Sequence, residues 1–468
     1  MDRMSATDAG FFFAEGENTP MHVGSVSVFE GPAPTYGDLV RLLLGKLPQV
    51  PRYRQRVRTV PLHVGRPLWV DDEHFQILYH VRHTAVPRPG SAEQLRNLAG
   101  RVLGQRLDMA KPLWEVWLVE GLADDRWAII SKVHHCMVDG VSGTDLLQLI
   151  FDVDPDAPHP KPVDWTPESG PSSVAALAGG VRELVEQPVR RLAGGLLQAA
   201  QDPADLLRRG RALGALVPGL ARRMSTPTPR SLNGPIGPHR RWVWVDATLD
   251  DVKRVRRAHG GTVNDIVLAA VTAGFRDLLA ARDELDEGVV VRTMVPISVR
   301  RPDERGALNN QISAVFVDLP VGEPDALARL ASLRRQMDAH KRMMGVVDAR
   351  AIIAMGEFVA PALMAAGTRV AARTSQPFMQ VTTTNVPGPR RPLYVLGRRM
   401  QELHAYVPIN MGSRVSIGIY SYLDNLTFGI NADFDAFPDV DVLADGIRNG
   451  LATLADPTVS PARRASTG

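Results

Sequence analysis

The sequence holds one cysteine, Cys136, in 468 residues. No internal disulfide can therefore form, and a reducing, cytoplasmic setting is expected. It also lacks an excess of charge of one sign. Its 54 Lys and Arg against 51 Asp and Glu leave a net +3, too balanced for a nucleic-acid binder. No window supplies about 18 uninterrupted apolar residues, which argues against a transmembrane helix. The nearest stretch, Ala351–Gly367, is broken by Glu357 and Pro361 and reads as a buried or interfacial helix. The Phe11–Phe13 run, with an acidic residue at position 2, is too short for a secretory signal. GxGxxG and GxxxxGK(S/T) are absent, so dinucleotide and phosphate-loop chemistry have no anchor. GxSxG and HExxH are absent too, which disfavours a serine-hydrolase elbow and a zinc site; no metal is expected. No repeat of 20–50 residues points to a solenoid or propeller.

What is present divides the chain. Asp154–Ser173 contains six prolines, which neither a helix interior nor a central strand accepts. A stretch rich in Leu, Ala and Arg follows, over about 174–224, and Thr226–Pro238 is a second cluster of breakers. The expected organisation is an N-terminal domain 1–153, a Pro-rich and helical linker 154–238, a C-terminal domain 239–455 and a disordered tail 456–468. In the front half Trp127–Val133 reads as a strand, and Ser142-x-x-Asp145 as the capping-box start of a helix. In the back half Arg241–Val245, Val289–Pro296, Gln311–Leu319, Phe378–Thr384 and Arg414–Tyr422 read as strands. Thr262-x-x-Asp265 opens a helix through about Ala281. Each half is thus an α/β layer structure.

The chemistry concentrates in His134-His135-Cys136-Met137-Val138-Asp139-Gly140, between a predicted strand end and a predicted helix start. A rigid scaffold presents side chains to a cleft from such loops. A histidine there accepts a hydroxyl proton near neutral pH. Neighbours on an extended segment face opposite ways, so His135 is taken as the base and His134 as structural. Asp139 would orient the loop, and Gly140 would let the chain turn where a Cβ clashes. Cys136 reads as a small apolar filler rather than a nucleophile. What remains is base catalysis without a protein nucleophile: direct attack of an alcohol or amine on an activated acyl group. Asn264 has two readings, helix capping or support of a catalytic site, while Asp265 reads as a cap. Pro112-Leu113-Trp114 reads as core, and Thr382–Thr384 with Asn385 as strand residues that could also donate to an oxyanion.

His134–Gly140 resembles the HHxxxDG signature of the coenzyme A-dependent acyltransferase superfamily. More narrowly, the chain resembles the bacterial wax ester synthase/diacylglycerol acyltransferase family, the triacylglycerol synthases. Ser5-Ala-Thr-Asp8-Ala-Gly-Phe is similar to the N-terminal segment of that family, Pro112-Leu113-Trp114-Glu115 to its PLW motif, and Asn264-Asp265-Ile-Val-Leu-Ala to its ND motif. Asn310-Gln-Ile-Ser and Asn385-Val-Pro-Gly-Pro389 match strings of its back half; Asn309 departs, standing where the family is expected to carry glycine. The likeness runs from about residue 5 to about residue 455. It implies two chloramphenicol-acetyltransferase-like α/β domains with an interdomain tunnel, and His135 as general base. Asp139 would pair with an arginine, for which Arg300 is the candidate and Arg301 its neighbour. The implied reaction transfers a long-chain acyl group from acyl-CoA, a co-substrate, to diacylglycerol or a long-chain alcohol. Alternatives are a sugar, polyketide or amine acceptor, or a non-catalytic lipid-binding protein. No residue is assigned to CoA. The Arg-interleaved Val189–Met224 and the apolar Ala351–Arg373 are candidates for peripheral contact with a membrane or lipid droplet.

Overall fold

A computed structural model describes residues 2–61, 64–138, 150–182, 228–298, 312–344, 379–409 and 412–456. The strands in chain order are β1 (Asp2–Arg3), β2 (His22–Phe29), β3 (Gln55–Arg58), β4 (Leu68–Asp71), β5 (Val81–Ala85), β6 (Trp114–Glu120), β7 (Trp127–His134), β8 (Arg240–Thr248), β9 (Val291–Ser298), β10 (Ile312–Leu319), β11 (Val381–Val386), β12 (Tyr394–Val395), β13 (Arg398–Tyr406), β14 (Val415–Tyr422) and β15 (Asn425–Asp433). The helices are α1 (Ala6–Ala14), α2 (Tyr36–Lys46), α3 (Ile77–His80), α4 (Ala92–Gly104), α5 (Leu249–His259), α6 (Val263–Ala281), α7 (Ala326–Met344) and α8 (Val440–Ala455).

Most of these helices begin for the same chemical reason. Ser5, Thr35, Ser91, Thr248 and Thr262 each accept, through the side-chain oxygen, the backbone N–H three residues on. The partner at that third position is Asp8, Asp38, Gln94, Asp251 or Asp265, an acid or amide that suits a helix N-terminus. The Thr262–Asp265 capping box is the one expected from the sequence. Asp265 is buried, and its carboxylate accepts from the Thr262 N–H at 2.7 Å.

Two six-stranded sheets carry the structure, in the orders β12-β13-β2-β7-β6-β5 and β10-β9-β11-β14-β15-β8. In the first, β7 is buried along all eight residues. Its alternation separates two cores rather than core from water: Trp127, Ile129 and Val133 face one, Ala128 and Ile130 the other. Lys132 is buried in the same strand. Its Nζ donates to the Val102 and Gln105 carbonyls at 3.2 and 3.0 Å and lies 3.3 Å from Glu115. His22 Nε2 donates to the Leu103 carbonyl at 2.6 Å. The C-terminal carbonyls of α4 are thereby capped by a cation and an imidazole from the sheet. In the second half α6 is buried over most of its length and packs with α8 and the second sheet in one hydrophobic core.

The two sheets are interlocked. β13 belongs to the back of the chain yet pairs antiparallel with β2 in the first sheet, with Leu403 opposite Ser27. The chain leaving β13 is held against the second sheet: Ser416 Oγ and Asn431 Nδ2 both donate to the Val407 carbonyl, and Thr427 Oγ1 donates to that of Leu403. This close crossing needs a missing Cβ. Gly418 and Gly429 are cross-strand partners, and a Cβ on Gly429 would sit 1.9 Å from the Ala405 carbonyl oxygen. Gly429→Ala is expected to cost about 1–3 kcal/mol of stability, as overpacking a core does, read as a lower midpoint in a melting curve. An unchanged midpoint would show that the crossing relaxes freely.

The Pro-rich segment from 154 to 172 lacks strand and helix, and residues 173–182 are helical. The remainder of the predicted linker helix, the Ser142–Asp145 helix start, the Ala351–Arg373 segment, Asn309 and the tail from 457 lie outside the described residues. Among the described residues no helix is long and apolar enough to cross a membrane.

Candidate active site

β7 ends at His134, and the chain turns at once into a single 3-10 turn, His135–Met137. Both histidines are anchored through their backbones by neighbouring segments. The His134 N–H donates to the Leu113 carbonyl at 2.9 Å and the His135 N–H to that of Met21 at 2.8 Å. The Leu113 anchor lies in the Pro112-Leu113-Trp114 stretch. There Trp114 is fully buried, stacks on His80, and donates from Nε1 to the Tyr53 carbonyl at 2.8 Å.

The two rings differ in kind. His134 is 1% exposed, and its Nδ1 accepts the Cys136 N–H at 3.1 Å, capping the turn. An accepting Nδ1 carries no proton, so the ring's proton sits on Nε2, 3.4 Å from the Glu15 carboxylate. Glu15 also accepts the Met21 N–H at 2.5 Å and Arg106 Nε at 3.0 Å. Burial alone would raise the Glu15 pKa; His134, Met21 and Arg106 together hold it below the ordinary carboxylate value.

The His135 ring is half-buried and stacks on Phe11 at 3.8 Å between centroids, 19° from parallel. Its Nδ1 is sealed, and no other described residue offers it a hydrogen bond. Burial lowers its pKa from 6.5 to about 4; its own carbonyl offsets part of this, and His134 adds a small further lowering. The ring is therefore neutral, in the form that accepts a proton, throughout the physiological range. If it is the base, kcat/KM holds as pH falls from 8 to 5 and drops only towards about pH 4. A rate profile whose acid limb lies at 6.5 would remove that assignment. Cys136, buried beside His134, has its thiol pushed well above its ordinary value by burial first and by Asp8 and Glu15 next. It is a poor nucleophile at neutral pH.

Of the other predicted site residues, Asp139, Gly140 and Arg300 lie outside the described residues. Asn264 opens α6, and its Oδ1 accepts from Asn385 Nδ2 at 3.4 Å. These two asparagines, from an α-helix start and the end of β11, are thus brought together within the second half. Thr383 is buried, and its hydroxyl accepts from Thr293 at 2.9 Å. Among the described residues no group of three or more His, Cys, Asp or Glu gathers as a metal site.

Residues 4–267 match the wax ester synthase/diacylglycerol acyltransferase catalytic domain, and residues 308–455 match the C-terminal domain of the same enzymes. The chain belongs to the wax ester synthase/diacylglycerol acyltransferase family. A probable diacylglycerol O-acyltransferase of Mycobacterium tuberculosis is 35% identical over 463 residues, covering 97% of this chain and 96% of that protein. A second putative diacylglycerol O-acyltransferase from the same organism is 32% identical over 467 residues, covering 97% and 90%. The solved wax ester synthase/diacylglycerol acyltransferase of Marinobacter aquaeolei VT8 superposes with a TM-score of 0.68 at 26% identity, over 97% of this chain and 98% of that one. The starter condensation domain of rhizomide synthetase, solved with C8-CoA, gives 0.58 at 14% identity over 98% and 95%, which shows a shared fold. This agrees with two chloramphenicol-acetyltransferase-like α/β halves in a family acyltransferase.

Sequence reading passed over Phe11, Glu15 and Met21, the groups around the histidine pair. One signal was there. Ser5-x-x-Asp8 has the helix-start spacing recognised at Thr262, and it places Phe11 and Glu15 four residues apart along one helical side.

Proposed function

We propose that this acyltransferase moves a long-chain acyl group from acyl-CoA to the hydroxyl of diacylglycerol, forming triacylglycerol, and also to fatty alcohols, forming wax esters. The observation that carries the reading is a partly exposed histidine, His135, whose backbone is anchored just past the end of a buried strand in a chain of this family. His135 takes the acceptor's hydroxyl proton while that oxygen attacks the thioester carbonyl. The tetrahedral adduct collapses, the C–S bond breaks, and the imidazolium returns the proton to the CoA thiolate. Ester and free CoA leave with charge and protons balanced. General-base help of this kind is worth about 100- to 10,000-fold; positioning and oxyanion stabilisation supply the rest.

In this reading His134 is structural. Asp139, paired with Arg300, and Gly140 shape the loop, and Asn264 with Asn385 supports the substrate in a tunnel between the halves. Substrates this apolar are drawn from a membrane or lipid-droplet surface that the protein visits from the cytoplasm. CoA release by the purified chain across diacylglycerol, fatty alcohols, sugars and amines, with palmitoyl-CoA as donor, tests the assignment. Release with diacylglycerol supports it. Release confined to sugars or amines moves the acceptor elsewhere, and no release with any acceptor leaves a lipid-binding role.

A further inference from the structure

We propose that Phe11 is a positioning residue for the transfer: its ring sets the plane of the His135 imidazole and steadies the imidazolium formed as the hydroxyl proton arrives. The inference deepens the acyl-transfer reading above and rests on it.

A general base works only when its lone pair points at the proton it takes. The His135 backbone is well fixed, through Met21, which is itself held by Glu15. The ring is not fixed by that anchor, because the terminal torsion of histidine is broad and roughly two-fold. Catalytic imidazoles are commonly oriented by a hydrogen bond to the second ring nitrogen. Here Nδ1 is buried and, beyond the residue's own carbonyl, finds no such partner among the described residues. What does hold the ring is an aromatic face, Phe11, 3.8 Å away and within 19° of parallel.

That face is itself rigidly mounted. Phe11 stands in α1, whose start is capped by Ser5. One turn on, Glu15 ties the end of α1 to the His134 ring, to Met21 and to Arg106. Residues four apart thus hold the two histidines separately: Glu15 the buried one, Phe11 the half-open one. The stack also matters electronically. A cation over an aromatic face is favoured by the ring quadrupole, so Phe11 stabilises the charge that His135 carries only while the transfer is under way. An interaction stronger in the transition state than in the ground state raises kcat rather than lowering KM.

The test uses the full chain with palmitoyl-CoA and a diacylglycerol. Phe11→Leu keeps apolar bulk and removes the aromatic face. It is expected to lower kcat about tenfold with KM for both substrates unchanged. Phe11→Tyr, which keeps the face, is expected to remain within about twofold of the parent. Because Phe11 is half-buried, both variants should melt with the parent. Phe11→Met, also without an aromatic face, repeats the test should the leucine variant not fold. An unchanged kcat in Phe11→Leu, an equal loss in Phe11→Tyr, or a change confined to KM overturns the proposal. His135→Ala in the same assay separates the two levels. If it is inactive while Phe11→Leu is unimpaired, only the Phe11 role falls; if it is fully active, the acyl-transfer mechanism falls with it.

Discussion

His135→Ala is expected to cut kcat for acyl transfer by about 100- to 10,000-fold, the range that general-base help supplies, while leaving the melting temperature close to that of the parent. Two features separate chemistry from stability at this position. The residue is partly exposed and its ring stacks on Phe11 rather than making a hydrogen bond to another described residue, so truncation breaks no buried polar contact. The backbone bond to Met21 is retained, since alanine has the same N–H. His134→Ala should behave in the opposite way. It removes the cap of the turn and leaves the Glu15 carboxylate, 5% exposed, without its imidazole. Single-turnover CoA release and a thermal melt on the two variants separate these roles. Parent-like transfer by His135→Ala would end the proposed mechanism.

Lys132→Met is expected to destabilise the fold by about 3–5 kcal/mol, the usual loss when one member of a buried ion pair is removed. The methionine matches the volume of the lysine stem but leaves three polar groups behind. Glu115 loses its 3.3 Å cation, and the carbonyls of Val102 and Gln105 lose their donor at the end of α4. Glu115 keeps Arg82 at 3.6 Å and the Trp117 indole at 3.0 Å, so its charge is not wholly stranded. Burial pulls the Lys132 pKa down, with Glu115 opposing, which reflects how much the site charges for a cation. Urea titrations of Lys132→Met and of the double variant Lys132→Met/Glu115→Leu test this. The double variant should recover part of the loss, because exchanging both charges for apolar groups is far milder than breaking the pair. A single variant as stable as the parent would show that water already reaches Lys132.

Much of this was legible before any coordinates. Strands and helix starts appear where local chemistry decides them: β7 from its apolar run, α6 from the Thr262–Asp265 box, β14 within a residue of its predicted start. The histidine pair stood out because a polar motif between a strand and a helix start has few structural uses. Lys132 looked instead like the polar side of an alternating strand. Its burial depends on the end of α4, about thirty residues back, a partner that no period of two or 3.6 reveals. Phe11 was hidden for a related reason. A three-residue phenylalanine run looks like core, and only the arrival of β7 beside α1 stacks Phe11 on one imidazole and brings Phe12 near the other. The membership of β13 was beyond reach, since its partner β2 lies some 370 residues earlier.

That borrowed strand has a bearing on how the protein is made. The first sheet cannot close when its own half has been synthesised; β2 stays an open edge until residue 406 has left the ribosome. A shortened product ending anywhere in the linker would expose that edge to other chains. Grafting a foreign back half onto this front half means transplanting β12 and β13 with the surfaces they meet on both sides.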